Sequence, residues 1–387
     1  MNTIQRGIIT LLKSAVTEQA LPLPEGFDLA EAYPLAKRHH MSTLLYDGAV
    51  RCGIDRGLPV MQKLFGEYCR ALMISERQMA EISRVFAAFE EAGIDYMPLK
   101  GCVMKARYPK PELRIMGDAD VLIRVEQYDR IVPIMEKLGF KSKLGTDREL
   151  VWTSERLYLE LHKYLFSLNN PHFEYFGDGW KLAANQNGCR YEMRQEDEYI
   201  YILYHLMNHV CNGGIGCRHI LDLWMHYRSM NEPDDTYISS VLERLHLTLF
   251  HDTLRNMQAV WFENAESDDL SDLLTEFFFE NGSWGNIDTR AITAVAIKSE
   301  QGNHTNRNRM DYIRHLLFPD VVVLRAKYPV LQKAPWMLPL VWIYRPFYKL
   351  LCERKDVQHH MKGLAAVNKE DVDARRELFQ MIGLKNN

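Results

Sequence analysis

Apolar positions recur at helical spacing over the first 93 residues. Ile4, Ile8, Leu11 and Leu12 predict an amphipathic first helix, which Pro22-Leu23-Pro24 ends. Residues 27–50 predict a second helical region, and residues 60–92 a long helix closed by Gly93. The period then shortens. Residues 94–99 predict a strand, 102–108 a helix and 117–123 a second strand. Ile131, Ile134, Met135 and Leu138 line one face of a helix over 127–138. Residues 140–144, 149–153 and 157–166 read as strands. The aromatic stretch 169–195 reads as a loop, and from Glu196 onward the chain is mostly helical, ending in a helix over 372–381. These patterns divide the chain into an N-terminal helical region (1–93), an α/β core (94–195) and a helical C-terminal domain (196–387). The expected class is α+β, a small mixed sheet flanked by helices.

The strand at 117–123 carries two carboxylates one residue apart. Side chains on a strand alternate faces, so Asp118 and Asp120 project together while Ala119 and Val121 face away. Like charges this close repel unless a cation lies between them, and hard oxygen ligands suit Mg²⁺ or Mn²⁺. In residues 157–162, Tyr158, Glu160 and His162 alternate with three leucines. If that strand lies beside the first, Glu160 becomes a third carboxylate at one site. Three such carboxylates suit a two-metal phosphoryl-transfer centre. Upstream, Lys100 and Gly101 stand at a strand-to-helix turn, where a lysine charge, close backbone approach and a helix N-terminus favour phosphate.

The order strand, Lys-Gly, helix, Asp-x-Asp, Glu resembles the nucleotidyltransferase superfamily of the DNA polymerase β type. More narrowly, it resembles the branch of uncharacterised bacterial nucleotidyltransferases. Leu99-Lys100-Gly101 stands where most relatives carry Gly-Ser; Tyr108-Pro109, Pro111-Glu112-Leu113-Arg114 and Glu160-Leu161-His162 complete the likeness. The resemblance implies transfer of a nucleoside monophosphate from an NTP to an acceptor hydroxyl or phosphate. Asp118, Asp120 and Glu160 would be catalytic and metal-binding. Lys100 and Gly101 would hold phosphates, Arg114 would reach the triphosphate or brace its loop, and His162 would orient Glu160 or the acceptor. A glycine-rich turn at 212–216, followed by Arg218 and Asp222 one helical turn apart, is similar to the second half of this fold's nucleotide site. An internal Arg–Asp helix pair is the structural alternative.

Net charge is −4, so no global basic field advertises nucleic acid, and an RNA acceptor is possible but not favoured. Seven scattered cysteines without CxxC pairs point to a reducing cytoplasm. The N-terminus does not read as a signal peptide, and no apolar run reaches transmembrane length. His39-His40 are adjacent, a spacing unsuited to a shared metal on a helix. His205 and His209 invite a zinc reading, but the glutamate of H-E-x-x-H is missing, and packed histidines are the expectation. Residues 307–355 are basic and aromatic. Pro335, Pro339 and Pro346 favour a helical hairpin packed on the core over a membrane-surface helix at 335–352 or an RNA grip. Residues 301–308 read as a polar loop. The competing functions are a catalytically inactive nucleotide-binding or regulatory protein, against which the retained carboxylates count, and a toxin-like nucleotidyltransferase acting on tRNA.

Overall fold

The computed structural model describes residues 1–387 except 144, 147, 214–215, 283–291, 294, 297–313, 315–317, 319–323, 325–327, 329, 353–367 and 385–387. Two compact units result. One holds Met1–Lys143, Arg148–Tyr204 and Gly216–Ser283; the other holds Leu144–Asp147, His205–Ile215 and Trp284–Asn387.

The first unit opens with helices α1 (Thr3–Thr17), α2 (Leu29–Arg38), α3 (Ser42–Arg51) and α4 (Pro59–Ala92). Asn2 and Gln5 cap α1 reciprocally. The region expected as one helix over 27–50 is two. His39 caps α2, and His40 takes a left-handed φ of 54°, which no helix continues through. Gly48 lets α3 close on α1, since a Cβ there would lie 2.1 Å from the Leu11 carbonyl oxygen.

The sheet follows, built from β1 (Tyr96–Leu99), the single-turn α5 (Gly101–Met104), β2 (Ala119–Ile123), α6 (Tyr128–Lys137), β3 (Lys141–Lys143), β4 (Glu149–Thr153) and β5 (Tyr158–His162). Residues 169–195 are more than the expected loop. They contribute the turn α7 (Phe173–Phe176) and a hairpin, β6 (Ala183–Asn187) and β7 (Arg190–Met193), hinged at Gly188 with φ 62°. The seven strands run β3-β4-β5-β2-β1-β7-β6. β2 is antiparallel to β1 and parallel to β5, and β4 is antiparallel to β5.

Alternation sorts the two faces of the sheet. Ala119, Val121 and Ile123 of β2, with Leu159 and Leu161 of β5, join Ile82, Val85 and Phe89 of α4 and Ile131 and Met135 of α6 in one buried cluster. Each of these side chains larger than alanine contributes about 1.5–3 kcal/mol. That apolar face fixes the register and so leaves Asp120, Glu160 and His162 on the other face. Helices α8 (Gln195–Cys211), α9 (Cys217–Arg228), α10 (Asp235–Arg244), α11 (Thr248–Phe262) and α12 (Asp269–Asn281) complete the order through residue 281.

The second unit's described residues include α13 (Val330–Lys333), α14 (Leu338–Cys352) and α15 (Lys369–Met381), the last matching expectation. Leu324, Leu331 and Val341 form its core with Leu338 and Trp342. The prolines do not break α14: Pro339 occupies its first turn, where no N–H is needed, and the helix runs on past Pro346. The loop at 301–308 lies outside the described residues. Among the described residues, no helix is long and apolar enough to cross a membrane.

Candidate active site

The site lies at the C-terminal end of β1 and the N-terminal part of β2. Leu99 pairs with Asp120 across β1 and β2, and Asp120 pairs with Glu160 across β2 and β5. One residue beyond Leu99, Lys100 turns the chain with a φ of 42°, and its Nζ donates to Asp120 Oδ1 at 2.8 Å. His162 Nε2 lies 2.7 Å from the same oxygen and 3.5 Å from Glu160 Oε2. The His162 ring is 1 % exposed and Asp120 6 %.

Charges in this setting are strongly perturbed. Burial by itself would raise the Asp120 carboxyl, but the Lys100 ammonium and the His162 hydrogen bond hold it far below the usual carboxylate range. Asp118 moves the other way. Burial and the neighbouring Asp120 and Glu160 charges push it up. Burial would lower the His162 imidazole, and its bonds to Asp120 and Glu160 outweigh that and raise it.

The ligand atoms of Asp120, Glu160 and His162 lie within 4.8 Å of one another, close enough to hold one metal ion. The donor set fits a divalent cation: two hard carboxylates, an imidazole, and an Asp120 oxygen that two proton donors approach at once. Asp118 stands beside this group, and His162 is within it.

At the turn, Gly101 is closely packed. A Cβ there would meet the Met116 side chain at 3.0 Å and Arg114 Nη1 at 3.2 Å. Since α5 is one turn long, Lys100 rather than a helix dipole supplies the positive charge at this point. Beneath the turn, Asp222 on α9 accepts from Tyr108 Oη at 2.7 Å, Arg114 Nε at 3.3 Å and Arg114 Nη2 at 3.0 Å. Arg114 and Arg218 both donate to the Ile115 carbonyl, at 3.1 and 3.0 Å. Arg218 and Asp222 are therefore on one helix face, as expected, and Asp222 braces Arg114 through its ion pair. Burial and the Arg114 charge bring the Arg218 guanidinium down to about 10. Gly214 and Ile215 of the glycine-rich turn lie outside the described residues.

Three residues near the site escaped the sequence reading. Glu149 Oε2 lies 3.7 Å from His162 Nδ1, Arg148 pairs with Glu149 at 2.7 Å, and the buried Tyr201 hydroxyl bonds the Lys100 ammonium. The antiparallel neighbour of β5 was the available signal, because Glu149 sits directly opposite His162 in that register. Elsewhere, His205 and His209 place their Nε2 atoms 2.9 Å apart, and among the described residues no third metal-ligating side chain joins them.

A family described as uncharacterised nucleotidyltransferase matches residues 25–263, which contain every residue named in the site. The chain belongs to that family and is a nucleotidyltransferase. No curated protein matches it. Among solved structures it is similar to the antibiotic-resistance factor ANT(2'')-Ia, at 15 % identity over 46 % of this chain and 97 % of that one, with a TM-score of 0.35. Family membership rests on the 25–263 match.

Proposed function

We propose that the chain transfers a nucleoside monophosphate from an NTP to an acceptor hydroxyl or phosphate, releasing pyrophosphate, with Asp118, Asp120 and Glu160 as catalytic and metal-binding residues. The register that sets Glu160 opposite Asp120, inside the family segment, carries this reading. Asp118 and Asp120 would hold two divalent cations, Mg²⁺ or Mn²⁺, and Glu160 the one on the acceptor side. Such cations, when bound, neutralise the triphosphate and acidify the attacking hydroxyl.

The protein's own groups have distinct tasks. Glu160, which is partly exposed, would accept the acceptor's proton. Lys100 gives up Asp120 and turns to the phosphates, which Gly101 lets approach the backbone. Arg114 and Arg218 share one carboxylate, Asp222, so the pair keeps an excess positive charge beside Asp118. That excess supports a triphosphate contact, with Asp222 and Tyr108 aiming the guanidinium of Arg114. His162 orients Asp120 and Glu160. Residues 94–195 would carry the chemistry, framed by 1–93 and 196–387. Cys52, Cys69, Cys102, Cys189, Cys211 and Cys217 are free thiols, which supports a reducing, cytoplasmic setting.

Thermal unfolding with each NTP, with and without Mg²⁺, tests the proposal. At a hundred times its Kd the donor stabilises the fold by about 2.7 kcal/mol. One preferred NTP, a Mg²⁺-dependent shift, and loss of both in Asp118→Asn/Asp120→Asn are expected. No shift with any NTP would leave a fold that has kept its shape and lost its chemistry. Labelled-NTP transfer to total RNA, protein or small molecules then identifies the acceptor.

A further inference from the structure

Helix α14 is apolar on both sides, and among the described residues one side is packed and the other exposed. Val341 and Trp342 turn to Leu324 and Leu331. On the outer side, Trp336 just before the helix is 75 % exposed, Leu340 55 %, Ile343 61 %, Tyr344 55 % and Phe347 64 %. Positions 340, 343, 344 and 347 form one stripe of a helix, so these side chains make a continuous apolar surface. A stripe this large on a water-exposed helix marks a contact surface.

Charge identifies what covers it. In sequence, residues 307–355 carry ten Lys and Arg against three Asp and Glu, on a chain whose net charge is −4. The rest of the chain is therefore net acidic, while this segment is net basic. Arg345 lies on the helix itself. A second copy docked here would set two basic segments against each other. An anionic surface would attract this segment. The aromatic content suits a lipid headgroup region, where Trp and Tyr bury a ring and keep a polar edge wet.

We infer that α14 with Trp336 is an interfacial helix that lies in the surface of an anionic lipid bilayer, holding the enzyme at the membrane without spanning it. This does not rest on the proposed transfer reaction. Set against the packed hairpin that the prolines suggested, it depends on a helix that continues past them and leaves Leu340, Ile343, Tyr344 and Phe347 facing out.

Vesicle flotation of the full-length protein tests it, using phosphatidylglycerol–phosphatidylethanolamine vesicles against phosphatidylcholine alone. The comparison variant is Ile343→Glu/Phe347→Glu, whose positions are exposed and outside the nucleotide site. The wild type should float with the anionic vesicles about tenfold more than with phosphatidylcholine, and lose most of that in about 0.5 M salt. The double variant should stay in the soluble fraction with its melting temperature unchanged. No flotation of the wild type with anionic vesicles overturns the inference. So does a self-associating wild type that the double variant renders monomeric without any vesicle binding, which would make the stripe a contact between copies.

Discussion

Lys100 and Asp120 form an ion pair at 2.8 Å in which the lysine backbone is left-handed, φ 42°, and the carboxylate oxygen also meets His162. A non-glycine residue is held in that conformation at a cost of the order of 1–3 kcal/mol. What offsets it is the charge delivered to a buried carboxylate.

Lys100→Met should therefore destabilise the protein by roughly 3 kcal/mol in chemical denaturation, since Asp120 loses its principal counter-charge. Millimolar Mg²⁺ should restore more stability to this variant than to the wild type. Equal Mg²⁺ responses in the two proteins would count against Lys100 as the counter-ion of the site.

Asp120→Asn and Glu160→Gln should each lower nucleotidyl transfer by about three orders of magnitude, the several kcal/mol that charge stabilisation by bound cations supplies. His162→Gln should act through metal affinity, weakening Mn²⁺ binding about 10- to 100-fold, as loss of an orienting group does. Titration of Mn²⁺ by electron paramagnetic resonance separates this from a fold defect. Unchanged Mn²⁺ affinity in the His162 variant would confine that ring to packing.

Asp222→Asn should cost roughly 3 kcal/mol of stability, because it leaves Arg114 and Arg218 buried with no carboxylate between them. Tyr108→Phe shares the same acceptor, so the double variant should lose less than the two single variants together. Strict additivity in urea unfolding would show that Tyr108 does not act through Asp222.

His39 gives a pH dependence remote from the metal site. Its Nδ1 accepts the Cys217 N–H and its Nε2 lies 2.9 Å from the Phe279 carbonyl, so the neutral ring satisfies both neighbours. Burial pulls its pKa down from 6.5 to about 4. The unfolded chain then binds the proton first. This contribution to stability is complete above pH 6.5 and falls as the pH drops toward 4, by roughly 2–3 kcal/mol in all. His39→Gln should flatten that part of the stability curve, while a curve unchanged by the substitution would remove His39 as the titrating group.

The face assignment of the site was legible because a strand's period is two. The leucines of 157–161 and Ala119 and Val121 had to go inward, which sends Asp120, Glu160 and His162 outward together. Pairing of β1 with β2 spans 20 positions and is not a local signal, so the Lys100–Asp120 bond was not legible, whereas Glu149 could have been found from the β4–β5 hairpin. The β6–β7 hairpin did carry a local signal, Asn187-Gly188, a dipeptide that suits a tight turn. Surrounding aromatic residues masked it. The break at His39-His40 had no such mark, since a left-handed histidine is selected by packing rather than by intrinsic preference.

The pairing of β2 with two different neighbours also sets an order of assembly. β1 and β2 meet across a short connection, and Lys100 and Asp120 are 20 positions apart. His162 reaches Asp120 only through a parallel crossover, 42 positions away. Shorter loops close sooner, so the lysine is seated before Glu160 brings a further negative charge alongside. The same ion pair that poises the finished site thereby escorts its carboxylates through folding, and Lys100→Met should slow refolding in stopped-flow experiments as well as weaken the product.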